Sequence, residues 1–524
     1  MKTPDSPPAA ASAGQAGEEL KRGLTNRHLQ MIAIGGAIGT GLFNGAGRTI
    51  SLAGPSIILV YIVIGFFLYF VMRALGEMLL SNLKFKSFRD AIEYHLGPWA
   101  GFVSGWTYWL CWILIALADM MAVTNYVLWW FPDLPKFIPA LAMIVILFVL
   151  NIVAVRLFGE IEFWFALIKI VAIFALIVVA IVMIVTAFHS DLESLFGTHR
   201  QLLLDNATAA VASGNDVAAN QALIAELQGE KDALTSAYPN GVTASVMNIF
   251  NLDGGGVFPN GMWGFLAGFQ IAFYSFEGIE LVGTAAAETR NPLVALPKAI
   301  RAIPVRVVFF YVLSLAAILA ITPYLAIDPD MSPFVNMFAL TGLGIAASVV
   351  NFVVLTSAAS SMNSGIYSTS RMLFGLAGTR LAPKLFGRLS RSQVPANALI
   401  FSCICVLPAI GLLYASGSIM EAFTYASAAS NLLFVFVWTL MMVAYLRFRK
   451  TQPELHASSV FKMPWGIPMT WVVLGFFAVM LVVLCLDRTT LFGALTAVGL
   501  LAILGVIYWV RARRLARIGG ATDS

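Results

Sequence analysis

Residues 173–188 read IFALIVVAIVMIVTAF, a run with no charge and no turn residue. Strands of a membrane barrel alternate apolar and polar side chains, whereas this run is apolar on every face, so it reads as a helix inside hydrocarbon. With its flanks it reaches the ~20 residues a helix needs to cross a bilayer core roughly 30 Å thick. Working outward, about twelve such runs recur, near 28–50, 54–80, 99–130, 136–156, 160–188, 261–285, 303–327, 340–370, 396–415, 419–447, 468–487 and 491–511. The chain of 524 residues is 59% hydrophobic and 11% charged, against roughly 25% charged in an ordinary soluble domain. One soluble core cannot hide that much apolar surface, and the sequence predicts an all-α polytopic membrane protein in the lipid bilayer.

The net charge of +5 is explained by the placement of the basic residues, without nucleic acid. Lys21, Arg22 and Arg27 precede the first run; Lys84, Lys86 and Arg89 follow the second; Arg156 follows the fourth; Arg290, Lys298, Arg301 and Arg306 follow the sixth. The same side continues through Arg371, Arg380, Lys384, Arg388 and Arg391, then Arg447, Arg449, Lys450 and Lys462, then Arg511, Arg513, Arg514 and Arg517. The alternate loops carry mainly Asp133, Asp328, Asp330, Glu421 and Asp487. Lys and Arg accumulate on the cytoplasmic face, so an even number of spans with both termini cytoplasmic is expected. Residues 1–27, rich in Pro, Ala and Ser at the start, read as a disordered cytoplasmic tail without the apolar core of a signal peptide. Residues 513–524 read as a second cytoplasmic tail.

Residues 189–260 interrupt the pattern with a polar stretch whose acidic balance places it outside the cytoplasm. Within it RQLLLDNATAAVA and AANQALIAELQGEKDAL each predict a short amphipathic helix, with turns at Ser213–Asp216 and Tyr238–Gly241. It reads as an accessory helical hairpin or as a partner-binding or gating element. Asn206-Ala207-Thr208 matches a glycosylation acceptor. Cys111, Cys403, Cys405 and Cys485 lie in apolar runs, which argues against a disulfide framework. The five histidines are scattered, with no H-E-x-x-H, G-x-S-x-G or G-x-x-x-x-G-K-[ST] motif. An enzyme, a metal site, a bound cofactor and an ATP-driven pump are therefore not expected.

Two runs are broken in corresponding places. The first holds GGAIGTG at 35–41 and the sixth holds YSFEGIE at 274–280, five spans later. Each glycine costs a helix about 1 kcal/mol relative to alanine, so Gly35, Gly36, Gly39 and Gly41 favour an opened backbone. Such a segment leaves N–H groups at the start of the next half-helix for an anion such as a carboxylate; Gly35 and Gly39 can instead form a close-packing face. Paired breaks point to two inverted five-helix repeats, 28–188 and 261–447, with a midplane site and two further helices in 448–512.

Ionisable side chains inside a membrane are costly and functional by default. Glu277 and Glu280 flank Gly278 in the sixth run: an acid there either carries a proton or ties down the broken helix. Lys169 lies one-third into the fifth run, too deep to reach water at the helix end, so it is a candidate proton-coupling residue or one half of a permanent ion pair. Asp119 is the remaining buried acid, and Thr356, Ser357, Ser360, Ser361, Asn363 and Ser364 form a polar stripe in the eighth run. Arg73 and Glu77, four residues apart, predict an intrahelical ion pair with a structural or gating role.

The stretches LTNRHLQMIAIGGAIGTGLF (24–43), MRALGEM (72–78), FGEIEFWFALIKI (158–170), GIELVGTAAAET (278–289) and VVLTSAASSMNSGIYSTSRMLFGLA (353–377) resemble the bacterial amino acid permeases of the amino acid, polyamine and organocation superfamily. The resemblance covers nearly the whole chain and is closest to the branch carrying D-serine, D-alanine and glycine. It implies two inverted five-helix repeats plus two C-terminal helices in a bacterial inner membrane, and import of a small amino acid by proton symport, the proton gradient being the driving force. It also implies that the backbone at Gly36, Ile38, Gly39, Thr40 and Gly41 holds the substrate carboxylate and that carbonyls at Phe273, Tyr274 and Phe276 hold its amino group. Lys169 then takes the place of a sodium ion. Glu277, where many members carry a neutral residue, departs from the pattern and keeps open an exchanger or a permease for aromatic or cationic amino acids. A non-transporting amino acid receptor is the rival from another class.

Overall fold

The helix around the opening run shows how this sequence sorts its faces. In α7 (Val155–Val185), Glu162, Ala166, Lys169, Ile173, Leu176, Ala180 and Met183 are all buried. Their spacing of three and four residues is the stripe a helix turns toward its neighbours. Val171, Phe174, Val178, Ile181, Val182 and Val185 on the other side are exposed, Val185 by 79%. In water that strip would aggregate; against lipid tails it is at rest.

The structure is a computed structural model and describes residues 38–520 except 86, 154, 215, 252–254, 282–291, 343 and 391–392. Among the described residues, nine helical stretches are long and apolar enough to cross a membrane, and Phe137–Ile152 is a shorter apolar helix. The chain is an all-α polytopic membrane protein. In order it runs through α1 (Thr40–Phe43), α2 (Gly45–Ala53), α3 (Ile57–Ser81), the short α4 (Phe88–Leu96), α5 (Pro98–Leu128), α6 (Phe137–Val153) and α7. After the polar segment come α11 (Gly261–Ala272), α12 (Pro292–Arg301), α13 (Ile303–Arg306), α14 (Leu313–Ile321), α15 (Pro333–Leu340), α16 (Gly344–Gly378), α17 (Ala396–Val406), α18 (Pro408–Ala415), α19 (Ile419–Thr451), α20 (Pro453–Ser458), α21 (Gly466–Val483) and α22 (Arg488–Gly520). Helix α5 is the central post, packed against both α16 and α19.

The span expected at 303–327 is displaced: the helical run extends over Pro292–Ile321. Pro297 sits inside α12, and a π-helical turn at Val307–Val312 joins α13 to α14. The polar segment folds as expected into two helices, α9 (Thr198–Ala212) and α10 (Val217–Ala237), preceded by α8 (Leu192–Phe196). Strands β1 (His189–Ser190) and β2 (Val242–Thr243) pair antiparallel at its base. It has its own small core of Leu195, Phe196, Leu227, Leu234 and Val242, joined by Ala326 from the loop after α14.

Candidate functional site

Both breaks are present. Gly39 is extended (φ −115°, ψ −173°) and caps α1, so the N–H groups of the first turn after it have no intrahelical acceptor. On the other side α11 tightens into a 3₁₀ turn at Phe273–Phe276 and opens at Glu277 (φ −62°, ψ 139°). Gly278 follows at φ 92°, a left-handed conformation that disfavours any residue with a Cβ. The two breaks touch. A Cβ on Gly41 would lie 2.7 Å from the Ser275 backbone nitrogen and Cα, whereas one on Gly39 would meet nothing within 4 Å.

The cavity between the breaks is walled by Gly39, Thr40 and Gly41 from one side and Tyr274, Ser275, Glu277 and Leu281 from the other. Trp112 and Ile115 of α5, Glu162 and Lys169 of α7, and Ser361 and Ser364 of α16 complete it. The space open to the centre of a water-sized sphere is about 20 Å³, room for about one water, so the site is nearly closed.

A chain of polar contacts crosses this wall. Tyr274 donates its hydroxyl to Asp119 Oδ1 at 3.0 Å, and Thr40 donates to the same oxygen. Lys169 Nζ donates to Ser360 Oγ at 3.1 Å, and Ser360 donates to Glu162 Oε1 at 2.6 Å. Lys169 is 1% and Glu162 2% exposed, which makes the serine a bridge between a buried amine and a buried carboxyl. Tyr108 donates to Glu280 Oε1 at 2.9 Å, and Ser430 to Glu277 Oε2 at 2.5 Å. Tyr61 and Ser275 join their hydroxyls at 2.9 Å while Tyr311 donates to the Ser275 carbonyl at 2.8 Å.

The structure therefore gathers Gly39, Thr40, Gly41, Tyr274, Glu277 and Lys169 around one space, with Asp119 one hydrogen bond behind. Gly36 lies outside the described residues. Ile38 is buried, and its carbonyl accepts a hydroxyl from Ser357. The Phe273 ring packs on Trp438, and the Phe276 ring on Tyr61 and Tyr311. The carbonyls of Tyr274 and Phe276 each already accept an N–H, from Glu277 and Ile279, and keep a second lone pair for a ligand. Glu280 stands behind the cavity wall on Tyr108.

Two features differ from the sequence reading. Arg73 and Glu77 do not form the expected ion pair. Glu77, fully buried, accepts hydrogen bonds from Tyr445 Oη at 2.9 Å, from the Met463 amide at 2.7 Å and from His456. Arg73 lies over the Phe461 ring at 3.8 Å and donates to the Lys462 carbonyl. Side chains brought by the fold outcompete the i, i+4 partner, and both residues fasten the segment between α19 and α21. Glu162, Trp112 and Ile115 were not anticipated. The signal for Glu162 was available: it lies seven residues before Lys169, two turns along one helical face.

A family model described as amino acid permease matches residues 28–212 and 234–516. The chain is 51% identical over 475 residues to the D-serine/D-alanine/glycine transporter of Escherichia coli (strain K12), covering 91% of this chain and 90% of the relative. It is 38% identical over 441 residues to the Serine permease SerP1 of Lactococcus lactis subsp. cremoris, covering 83% of this chain and 86% of the relative. With the DL-alanine permease SerP2 of the same organism it shares 36% identity over 479 residues, 90% of this chain and 91% of the relative. With interrupted helices meeting at a closed polar cavity and similarity running through nearly all of its length, the chain belongs to the amino acid permease family.

Proposed function

We propose that the chain imports small neutral amino acids, glycine and the D- and L-forms of alanine and serine, by proton symport and alternating access. The reading rests above all on the contact of the two broken helices around one nearly closed cavity, Gly41 against Ser275. Free first-turn N–H groups at Thr40 and Gly41 suit a carboxylate, and the carbonyls at Phe273, Tyr274 and Phe276, of which the last two keep a spare lone pair, suit an ammonium. The open space of about 20 Å³ is room for about one water, so the walls must part to admit any amino acid, and they part least for a small one. The ammonium of Lys169 occupies the wall where a coupling cation would sit, and Asp119, Glu280 and Glu162 are the carboxyls that can exchange protons with it. Twelve spans in two inverted five-helix repeats plus two, with both termini cytoplasmic in a bacterial inner membrane, complete the proposal.

The names of the relatives, which cover D-serine, D-alanine, glycine, serine and DL-alanine, support this substrate class. Glu277 in the wall favours a second reading, a cationic substrate; the size of the cavity opposes it. Competition in proteoliposomes separates the two. An excess of unlabelled glycine, alanine or serine blocks uptake of labelled glycine at least tenfold better than lysine or phenylalanine does, and the reverse order would exclude the proposal.

A further inference from the structure

The Glu277 carboxyl is half satisfied. Oε2 accepts the Ser430 hydroxyl at 2.5 Å, while Oε1 has no hydrogen-bond partner among the described residues. The residue is 7% exposed and stands in the cavity wall. A buried polar atom left without a partner costs about 1–3 kcal/mol, a penalty that a ligand can relieve. A second group belongs to the same wall: Trp112 is 3% exposed, and its indole N–H, beside the Tyr108 hydroxyl, makes no well-aligned hydrogen bond among the described residues. Ser430 also reaches the carbonyl of Cys111, the residue before Trp112, at 3.5 Å.

An acceptor and a donor on two residues of one cavity wall define the chemistry of the missing partner. A hydroxyl gives one hydrogen and offers lone pairs, so it can serve the carboxyl and the indole together. A methyl group serves neither. A side-chain ammonium gives hydrogens only and leaves the indole N–H facing another donor. We propose that Glu277, held by Ser430, determines specificity by binding a hydroxyl on the substrate side chain, so that the site favours serine over alanine. The inference rests on the reading of the cavity as an amino acid site and deepens it.

The test is initial-rate uptake of labelled D-serine, D-alanine and glycine by proteoliposomes holding wild type, Glu277→Val, Glu277→Gln or Ser430→Ala, each variant first shown by gel filtration and thermal melting to be folded. In wild type D-serine has the lowest KM of the three. In Glu277→Val the ratio of the D-serine KM to the D-alanine KM rises about tenfold, which corresponds to about 1.4 kcal/mol. Glu277→Gln, which keeps an acceptor, shifts it less, and Ser430→Ala moves it in the same direction as Glu277→Val. A KM that rises in parallel for all three substrates, with the ratio unchanged, overturns the inference and leaves the transport function standing. Better wild-type uptake of 2,3-diaminopropionate than of serine overturns it in favour of an ammonium. Uptake of none of the three by wild type overturns both the inference and the function on which it rests.

Discussion

Lys169 and Glu162 illustrate what the membrane interior demands of single residues. Removing one partner of a buried opposite-charge pair leaves the other uncompensated, at a typical cost of about 3–5 kcal/mol, whereas removing both charges is far milder. Lys169→Ala and Glu162→Gln are each expected to lower the melting midpoint in detergent, and the double variant to melt closer to wild type than either single one; an additive loss would show that the Ser360 bridge carries no pairing. Lys169 was legible in the sequence because a lysine among apolar residues has no bland explanation. Glu162 was not. The sequence began the fifth span at 160, placing this carboxylate at the water border where it needs no partner, but α7 begins at Val155 and carries it into the bundle. Arg73 and Glu77 failed in the opposite way: their spacing permits a pair, and only the folded chain supplies the Tyr445, His456 and Met463 donors that take Glu77 away.

Among the elements, the contact of the two breaks has the sharpest consequence. A methyl group on Gly41 meets backbone at Ser275, which cannot swing aside, while one on Gly39 meets open space. Gly41→Ala should therefore cost about 1–3 kcal/mol as an overpacked core substitution does, with transport lost. Gly39→Ala should fold normally and lose uptake only, since its methyl occupies the space left for substrate. Equal melting midpoints for the two variants would refute this packing. The first break could be read from glycine density, because four glycines in seven residues outweigh helix propensity; the second, with Gly278 alone, was read from its carboxylates and its corresponding place in the sixth run. The start of the seventh span could not be read: Pro292, Pro297 and the basic residues around them look like a loop, and the sequence begins the span at 303, yet the helical run spans Pro292–Ile321. Pro304 falls in the first turn of α13, where no backbone N–H is needed, and a π-helical turn at Val307–Val312 follows it.

On the scale of the whole molecule, the polar insertion is latched to the rest of the chain through the loop after α14. Arg200 donates to the Ala326 carbonyl at 2.5 Å and to Glu230 at 3.3 Å, and His199 Nδ1 lies 2.8 Å from Asp328 Oδ2. Asn125 of α5 holds the same loop at the Asp330 carbonyl, 3.1 Å away. Burial pulls the His199 pKa down, but the hydrogen bond and charge of Asp328 outweigh it and hold it above the ordinary value. Burial pushes the Asp328 carboxyl up, and the His199 hydrogen bond, with the charges of His199 and Arg200, holds it below the ordinary value. The histidine contribution is thus complete below its unfolded value of roughly 6.5 and fades as pH rises through the raised one; the aspartate contribution is complete above roughly 3.9 and fades as pH falls. The gap in melting midpoint between wild type and His199→Ala should be widest near pH 5–6 and shrink above neutrality, and a pH-independent gap would exclude the latch. What joins the scales is the proposal that protons drive transport through the Lys169 wall. The direct measurement is uptake of labelled glycine into proteoliposomes with and without an inward proton gradient, in wild type and Lys169→Ala. Glycine accumulated above its external concentration in wild type alone, and released by a protonophore, is the expected result; uptake that the gradient does not change, or equal gradient-driven accumulation in Lys169→Ala, would contradict the account.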